Sequence, residues 1–177
     1  THEIGKKKIE TYMEVLADLH KKVEGIAGDC ENADSLEEVF KILKKRVRCV
    51  GDFIAYEICI DLMYAHAIRF KEDDWVIAGP GCRVGIGLIF PKWAAEGRHV
   101  EAIKKLRWGQ RKAFRKLRLR FPFLDGKDLT LRNIEHSLCE FGKYIKLKNG
   151  WGKNRQRFRP TSTHELYSSQ GQMPLFK

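Results

Sequence analysis

Residues 47–91 have the sequence VRCVGDFIAYEICIDLMYAHAIRFKEDDWVIAGPGCRVGIGLIFP, in which two glycine turns each precede a helical pattern. Val50-Gly51-Asp52 precedes an apolar segment over 53–64, and Gly79-Pro80-Gly81 precedes a second one over 82–90. Glycine permits a tight turn, including one with positive φ, and proline suits the first turn of a helix. Because the segment over 53–64 is apolar on nearly every side, it predicts the central buried helix of the fold.

Further helical patterns surround this stretch. Apolar residues recur at helical spacing over 5–27, 36–48, 99–120 and 130–147, with a break over 91–97. We expect the first segment to be core scaffold, with a buried stripe of Ile9, Leu16, Leu19, Val23 and Ile26 beside Tyr12 and Met13. Ser35 and Glu38 match a capping box at the start of the second segment. The patterns predict one all-α domain over 1–148 and a basic, partly extended tail over 149–177.

The charge and cysteine content bound the function. The formal net charge of +11 favours a polyanionic partner such as nucleic acid, and a merely soluble basic protein is the alternative. The five cysteines are odd in number and irregularly spaced, which argues against a disulfide framework and a zinc site. We therefore expect no bound metal and an intracellular, reducing location, either the nucleus or the cytoplasm of a phage-infected bacterium.

The hydropathy pattern predicts no membrane partner. The most apolar segment is interrupted by Glu57 and Asp61, so no transmembrane helix is expected. The chain opens at Thr1 without a signal-like segment. From this opening we expect a trimmed fragment of a longer protein.

The helix predicted over 99–120 has a stripe of cations. The members are Lys104, Arg107, Arg111, Arg115 and Arg118, at steps of 3, 4, 4 and 3, with Trp108 at the edge. Helical geometry aligns residues at this spacing on one face. Because like charges this close repel one another, the stripe favours contact with DNA phosphates. A solvated basic face is the alternative.

The two glycine turns predict anion-binding sites. Backbone amides at a helix N-terminus are unsatisfied donors at the positive end of the helix dipole. On this basis Gly51 and Asp52 are candidates to hold a DNA phosphate, and Gly79, Gly81 and Arg83 are candidates to hold a phosphate or pyrophosphate. The turn at 79–81 is neither a Walker A loop nor a dinucleotide fingerprint, and an ordinary turn is the alternative for both turns.

Two groups of ionisable residues are candidates for acid–base chemistry. Asp73 and Asp74 are adjacent carboxylates, and a partly buried member of such a pair suits a general base. His136, Glu140 and Lys143 share one face of the last predicted helix, where the first two can form a hydrogen-bonded acid–base pair and Lys143 can hold an anion. Helix capping by the aspartates and an exposed salt bridge on the last helix are the ordinary alternatives.

The order of these motifs resembles the helix-hairpin-helix DNA glycosylase superfamily. The phrases FIAYEICIDL (53–62), EDDWVIAGPG (72–81) and IEHSLCEFGKY (134–144) resemble one branch of it. That branch contains the alpha-glutamyl/putrescinyl thymine pyrophosphorylases, also called amino acid:DNA transferases, and the related helical domain of 5-hydroxymethyluracil DNA kinases. The resemblance covers roughly residues 35–148 and implies an all-α, helix-hairpin-helix glycosylase-like fold.

The resemblance also implies an activity, the hypermodification of a DNA base. In that family a pyrophosphorylated 5-hydroxymethyluracil in DNA loses pyrophosphate and gains an amine from an amino acid or a polyamine. We expect no cofactor. Asp74, His136 and Glu140 would then deprotonate the amine, the glycine turn at 79–81 would receive the pyrophosphate, and the target base would be flipped out of the duplex.

Departures from the wider superfamily leave alternatives open. Phe53 stands where lyase-type glycosylases carry their Schiff-base lysine, and the cysteine spacing does not fit their iron–sulfur cluster, so the resemblance disfavours a DNA lyase. The sequence contains no P-loop, which disfavours kinase activity by this chain alone. The alternatives to the transferase are a non-catalytic DNA-binding or scaffold module and a monofunctional base glycosylase that uses Asp74.

Overall fold

The computed structural model describes residues 8–122 and 124–151. Over these residues the chain forms seven α-helices, a short 3₁₀ turn and no β-strand, so the predicted all-α class is confirmed. The helices are α1 (Lys8–Glu31), α2 (Leu36–Arg46), α3 (Asp52–Tyr64), α4 (Pro80–Ile89), α5 (Pro91–Ala95), α6 (His99–Lys116) and α7 (Leu131–Lys148), with the 3₁₀ turn at Leu124–Gly126. Within the described ranges, no helix combines the length and apolarity needed to cross a bilayer. The helix-hairpin-helix relationship stays a prediction.

The chain divides into two units, Thr1–Tyr144 and Ile145–Lys177. The first unit contains α1 to α6, most of α7 and the hydrophobic core. The second unit contains the end of α7 and the described residues up to Trp151. Most of the predicted tail over 149–177 lies outside the described residues.

Helix α3 lies at the centre of the core. Its buried side chains, which belong to one cluster with residues of α2, α4, α6 and α7, are Ala55, Tyr56, Cys59, Ile60 and Met63. Phe53 and Ile54 are about half exposed, so the prediction of a helix buried on nearly every side is wrong for its first turn. These two side chains line a cavity instead of packing in the core.

Helix α2 begins as predicted, but the turn between α2 and α3 lies at a different residue from the predicted one. The Ser35 hydroxyl accepts a hydrogen bond from the Glu38 amide at 3.1 Å, which confirms the predicted helix start. The hairpin turns at Cys49, whose φ of 61° is left-handed, whereas Gly51 has a φ of −86° and is the N-cap of α3. Asp52 is the first residue of α3, and its carboxylate pairs with Lys44.

Helix α1 is core scaffold only toward its C-terminal end. Ile26 and Cys30 are buried, and α1 packs on α2. Ile9, Leu16 and Val23, which were predicted to continue the buried stripe, are exposed. An amphipathic pattern shows which face of a helix is apolar but does not specify what covers that face, which explains the error.

Helices α4 and α7 approach each other through glycines. A Cβ added at Gly85 would lie 2.1 Å from the carbonyl oxygen of Leu138, and one added at Gly81 would lie 2.3 Å from the Sγ of Cys139. On α7, a Cβ at Gly142 would lie 3.1 Å from the amide nitrogen of Gly85. The two backbones are therefore in direct contact, and larger residues do not fit between them.

Candidate functional site

A cavity of about 960 Å³ opens between the start of α3, the loop over 71–79, the start of α4 and the first half of α6. Six of the predicted site residues line it, namely Gly51, Asp52, Asp74, Gly79, Arg83 and Lys104. Phe53 and Trp108 present exposed aromatic side chains to the same cavity. The structure therefore brings members of the predicted DNA-binding, phosphate-binding and catalytic groups to one place.

Three helices begin at this cavity. The N-caps of α3, α4 and α6 are Gly51, Gly79 and Arg98, and none of them makes a side-chain capping hydrogen bond. The start of α6 contributes Gly97 and His99 to the cavity lining. A helix start without a side-chain cap leaves backbone donors at the positive end of the helix dipole. The cavity is therefore favourable for binding an anion.

Most carboxylates at the cavity are already engaged by cations. The pairs are Asp52 with Lys44, Glu37 with Lys41 at 2.7 Å, and Glu101 with Arg98 at 3.8 Å. Since each of these carboxylates lies beside a cation, its repulsion of an incoming anion is reduced.

Asp73, rather than Asp74, fixes the loop over 71–79. Its carboxylate accepts hydrogen bonds from Arg107 Nη2 at 2.8 Å and Nε at 2.9 Å, and from the Leu131 amide at 2.8 Å. The hydrogen bonds from the Arg107 guanidinium lower the pKa of Asp73 below its usual range. Among the hydrogen bonds of the described residues, Asp74 accepts one, from the amide of Lys71 within its own loop, at 2.8 Å. Asp73 therefore ties the loop to α6 and α7, while the exposed Asp74 is oriented locally.

The predicted stripe on α6 is partly neutralised. Arg107 is held by Asp73 and, at 3.5 Å, by Asp128. Arg111 donates through its Nε to Asp128 at 2.9 Å. Carboxylates of the same chain therefore compensate two of these cations, so repulsion within the stripe is weaker than the sequence suggested. Contact of the stripe with DNA phosphates stays a prediction.

The stripe is also shorter than predicted. Helix α6 ends at Lys116, not near 120, and Arg118 lies beyond it with a left-handed φ of 53°. The helical spacing that aligned Arg118 with the other cations does not apply after the helix ends. Lys104 lines the cavity and Arg115 lies in the last turn of α6.

The remaining predicted catalytic residues lie on the outer face of α7. His136, Glu140 and Lys143 are exposed, and none of them lines the cavity. Lys143 donates to Glu140 at 2.6 Å, and this hydrogen bond lowers the pKa of the Glu140 carboxyl. The structure does not bring this group together with Asp74 in the cavity.

The glycine turn at the start of α4 has a structural partner. The amide of Gly79 donates to the carboxylate of Glu135 at 3.3 Å, and Gly81 lies against Cys139 on α7 instead of lining the cavity. A carboxylate of the protein therefore already uses the first amide at this helix start. Of the three residues predicted to hold pyrophosphate, Gly79 and Arg83 remain at the cavity wall.

Residues 1–154 match one protein family, the 5-hmdU DNA kinase helical domain. The chain belongs to this family. No curated protein and no solved structure matches the chain. The match starts at residue 1, so the family region extends further toward the N-terminus than the predicted 35–148 and includes α1. The family description connects this helical domain with DNA that contains 5-hydroxymethyldeoxyuridine, a modified thymidine.

The helical domain also contains a buried ionic cluster that the sequence motifs did not indicate. Arg132 donates to Glu135 at 2.8 Å and to Glu57 at 2.9 Å, and its guanidinium lies 5.6 Å from the centre of the Tyr56 ring. Burial raises the pKa of Glu135 in spite of the neighbouring Arg132. Since Glu135 also binds Gly79, the cluster fixes the start of α4 at the cavity edge. Its only sequence signal is the spacing of three between Arg132 and Glu135, which is common on exposed helices.

Proposed function

We propose that this helical domain binds DNA that contains a modified thymine and receives that base in the cavity. The observation that carries the proposal is the meeting of three helix N-termini with Arg83, Lys104 and the exposed Trp108 at one cavity. Membership of the 5-hmdU DNA kinase helical-domain family indicates the base to test, 5-hydroxymethyluracil.

Three physical properties support DNA as the ligand. Helix N-termini and cationic side chains attract phosphates. Trp108 offers a flat apolar face, and stacking of a base on such a face contributes about 1–3 kcal/mol. The cavity of about 960 Å³ lies within the range of small-molecule sites, about 300–1,000 Å³, so a nucleoside extruded from the duplex has room to enter.

Binding, rather than chemistry, is the function that this geometry supports best. Of the four predicted catalytic residues only Asp74 lines the cavity, and the other three lie on the outer face of α7. The sequence contains no P-loop that could hold a nucleotide for phosphoryl transfer. The domain would therefore present the modified base to chemistry carried out by another part of a larger protein or by a partner.

Substitution of two adjacent lysines of α6 tests the proposal, with DNA affinity measured by fluorescence anisotropy. The ligands are two duplexes of the same sequence, one with 5-hydroxymethyluracil and one with thymine at a single position. Lys104→Gln should weaken binding to both duplexes about 3- to 10-fold and reduce the slope of log affinity against log salt by about one, because one phosphate contact is lost. The matched control is Lys105→Gln, whose ammonium lies over Trp93 and does not line the cavity. Equal losses in the two variants would show non-specific attraction and contradict the proposal.

Trp108 tests the part of the proposal that concerns the base. The wild-type protein should bind the modified duplex more tightly than the thymine duplex, and Trp108→Ala should remove most of that preference by eliminating the stacking surface. Equal binding of both duplexes by the wild-type protein would exclude base recognition while leaving phosphate binding intact.

The position of Asp74 favours a second function, amine transfer to a pyrophosphorylated 5-hydroxymethyluracil. The amine nitrogen of an amino acid or polyamine would bond to the exocyclic carbon, pyrophosphate would leave with the bonding electrons, and the Asp74 carboxylate would accept the proton. Mass spectrometry of nucleosides should then detect the amine adduct with the wild-type protein and none with Asp74→Asn, at unchanged DNA affinity. Product from the variant would exclude Asp74 as the base, and no product from the wild-type protein would exclude the transfer.

A further inference from the structure

The end of α6 and the turn after it are dense in uncompensated cations. Residues 112–120, KAFRKLRLR, contain no acidic residue, and their basic members are Lys112, Arg115, Lys116, Arg118 and Arg120. All these side chains are exposed, and none of them forms an ion pair within the part of the chain that the structure describes. By contrast, Arg107 and Arg111 of the same helix are held by Asp73 and Asp128. The charge of 112–120 is therefore available to an external anion.

The helix end holds this turn in a fixed shape. The amide of Arg118 donates to the Arg115 carbonyl at 3.1 Å, and the amide of Leu119 donates to the Phe114 carbonyl at 2.9 Å. These two hydrogen bonds form a Schellman motif, in which the residue at the position of Arg118 has a left-handed φ. The rings of Phe114 and Phe121 stack with their centroids 6.1 Å apart. Both ends of the turn are therefore anchored to α6.

Arg118 occupies a position where glycine is the usual residue. Its φ of 53° is left-handed, a conformation that is unfavourable for a residue with a Cβ. Gly97 and Gly150 lie at the corresponding positions after α5 and α7, with φ of 72° and 67°. Unfavourable backbone conformations cluster at ligand-binding sites. The presence of arginine at this position is therefore consistent with a ligand for its guanidinium.

The turn also exposes apolar side chains between its cations. Leu117 is 62% exposed and Leu119 is 57% exposed. The minor groove of DNA has a complementary surface, because its negative potential attracts arginine and proteins that bind it also insert apolar side chains such as leucine. This groove is about 6 Å wide, too narrow for an α-helix, so a short turn suits it better.

We propose that residues 116–120, the basic turn, bind the minor groove of duplex DNA beside the modified base. Arg118 and Arg120 enter the groove, and Leu117 and Leu119 lie against its sugars. The inference rests on the proposed function and adds a second DNA contact outside the cavity.

The length of α6 determines where this second contact falls. Lys104 at the cavity and Lys116 at the start of the basic turn are about 18 Å apart along the helix, from a rise of about 1.5 Å per residue. On a duplex with about 3.4 Å per base pair, this separation corresponds to at most about five base pairs. The contact therefore lies on one side of the modified base and makes the footprint of the domain asymmetric.

Arg118→Gly tests the contact without disturbing the fold, because glycine removes the guanidinium and suits the left-handed backbone. The Tm should be equal to that of the wild type or higher. Duplex affinity, measured by fluorescence anisotropy, should fall about 3- to 10-fold, and the slope of log affinity against log salt should decrease by about one. The matched control is His66→Gly, the same change at the end of α3, where His66 has a φ of 56°. Unchanged affinity in Arg118→Gly, or an equal loss in the control, would overturn the proposal.

The groove is identified with flanks of A·T, G·C or inosine·cytosine pairs on the side of the modified base that the turn contacts. The guanine amino group projects into the minor groove, and inosine lacks this group but keeps the major-groove pattern of guanine. The wild-type protein should bind the A·T and inosine·cytosine flanks more tightly than the G·C flank, and Arg118→Gly should lose most of this difference. Equal binding of the inosine·cytosine and G·C flanks would exclude the minor groove and overturn the proposal.

Shortened duplexes test the asymmetry. Shortening the contacted flank should weaken binding of the wild type but change that of Arg118→Gly little. Shortening the other flank should affect the two proteins equally. Equal effects of the two flanks on the wild type would overturn the proposal.

The same measurements separate this inference from the proposed function. If the wild type prefers the 5-hydroxymethyluracil duplex and Arg118→Gly binds both duplexes as tightly as the wild type, only the inference about the basic turn fails. If binding depends on Arg118 but shows no base preference, the groove contact stands and reception of the base by the cavity fails. Vesicles that contain an anionic phospholipid are the last probe. Binding to them that depends on Arg118, with unchanged DNA affinity, would assign the turn to a lipid surface and overturn the proposal.

Discussion

Each of the two faces of α7 contains an ion pair between a basic residue and a glutamate three residues apart, and the two pairs lie in opposite environments. On the buried face, Arg132 and Glu135 are 10% and 6% exposed, and they bind groups of α3 and of the α4 start. On the outer face, Lys143 and Glu140 are 61% and 53% exposed and bind only each other among the hydrogen bonds of the described residues. The buried pair therefore connects three helices, whereas the outer pair stabilises one.

The difference between the faces shows which charges have structural consequences near the cavity. An exposed ion pair contributes little to the free energy of unfolding, because water stabilises the two separate charges nearly as well as the pair does. A buried pair that loses one partner leaves an uncompensated charge in a medium of low polarity. Changes on the inner face of α7 should therefore disturb the cavity, and changes on the outer face should not.

Removal of Arg132 should have the largest effect. Arg132→Leu leaves Glu135 buried without its counter-ion, and we expect the free energy of unfolding to fall by about 3–5 kcal/mol, measured by urea denaturation. The control is Lys143→Leu, which removes the cation of the outer pair and should change stability by less than about 1 kcal/mol. Similar losses in both variants would show that the two faces are energetically equivalent.

A methyl group between α4 and α7 should have the next largest effect. Gly85→Ala places a Cβ against the backbone of Leu138, and the helices must separate to accept it, at a cost of about 1–3 kcal/mol. Gly109→Ala on α6 is the matched control, because a Cβ there meets nothing within 4 Å and alanine favours a helix by about 0.5–1 kcal/mol. Thermal unfolding should show a lower Tm for the first variant and an equal or higher Tm for the second.

The two glutamates should give opposite pH dependences of stability. Burial raises the pKa of Glu135 in the folded state. The contribution of Glu135 to the free energy of unfolding is therefore complete below the pKa of the unfolded state, near 4.5, and is lost as pH rises through the folded-state pKa. Lys143 lowers the pKa of Glu140 in the folded state. The contribution of Glu140 to the free energy of unfolding is therefore present above about pH 4.5 and is lost as pH falls. The stability of the wild type relative to Glu135→Gln should therefore decrease as pH rises above about 4.5. Relative to Glu140→Gln it should decrease slightly as pH falls below that value. If both stability differences changed with pH in the same direction, the assignment of Glu135 to a buried site and Glu140 to an exposed ion pair would be contradicted.

Changes on the outer face of α7 should have the smallest effects on both stability and DNA binding. His136→Ala and Glu140→Gln alter exposed side chains that do not line the cavity. We expect changes of less than about 0.5 kcal/mol in the free energy of unfolding and DNA affinities within about twofold of the wild type. A large loss of DNA affinity in either variant would show that the outer face, and not the cavity alone, contacts DNA.

The sequence was sufficient to locate the helices and much of the cavity. Apolar periodicity placed the long helices to within a few residues, because each buries one face in the core. Glycine turns identified Gly51 and Gly79 as helix starts, and both starts line the cavity. The short helix α5 was missed because Pro91 reads as a break, although proline also suits the first position of a helix.

The contacts between helices could not be predicted in the same way. The spacing of Arg132 and Glu135 is the same as that of Glu140 and Lys143, so sequence alone does not distinguish the buried pair from the exposed one. Asp73 and Asp74 are adjacent, and only the position of Arg107, 34 residues later, decides which of them fixes the loop. Gly81 was expected to admit an anion, but it admits the side chain of Cys139.

The uneven distribution of charge along the chain has a consequence for the approach to DNA. Helix α1 has a net charge of −3, while the whole chain has a net charge of +11. On the proposed DNA-binding function, a polyanion repels α1 and attracts the cations at the cavity over distances of about one Debye length, roughly 10 Å in 0.1 M salt. The domain should then approach the duplex with α1 turned away from it.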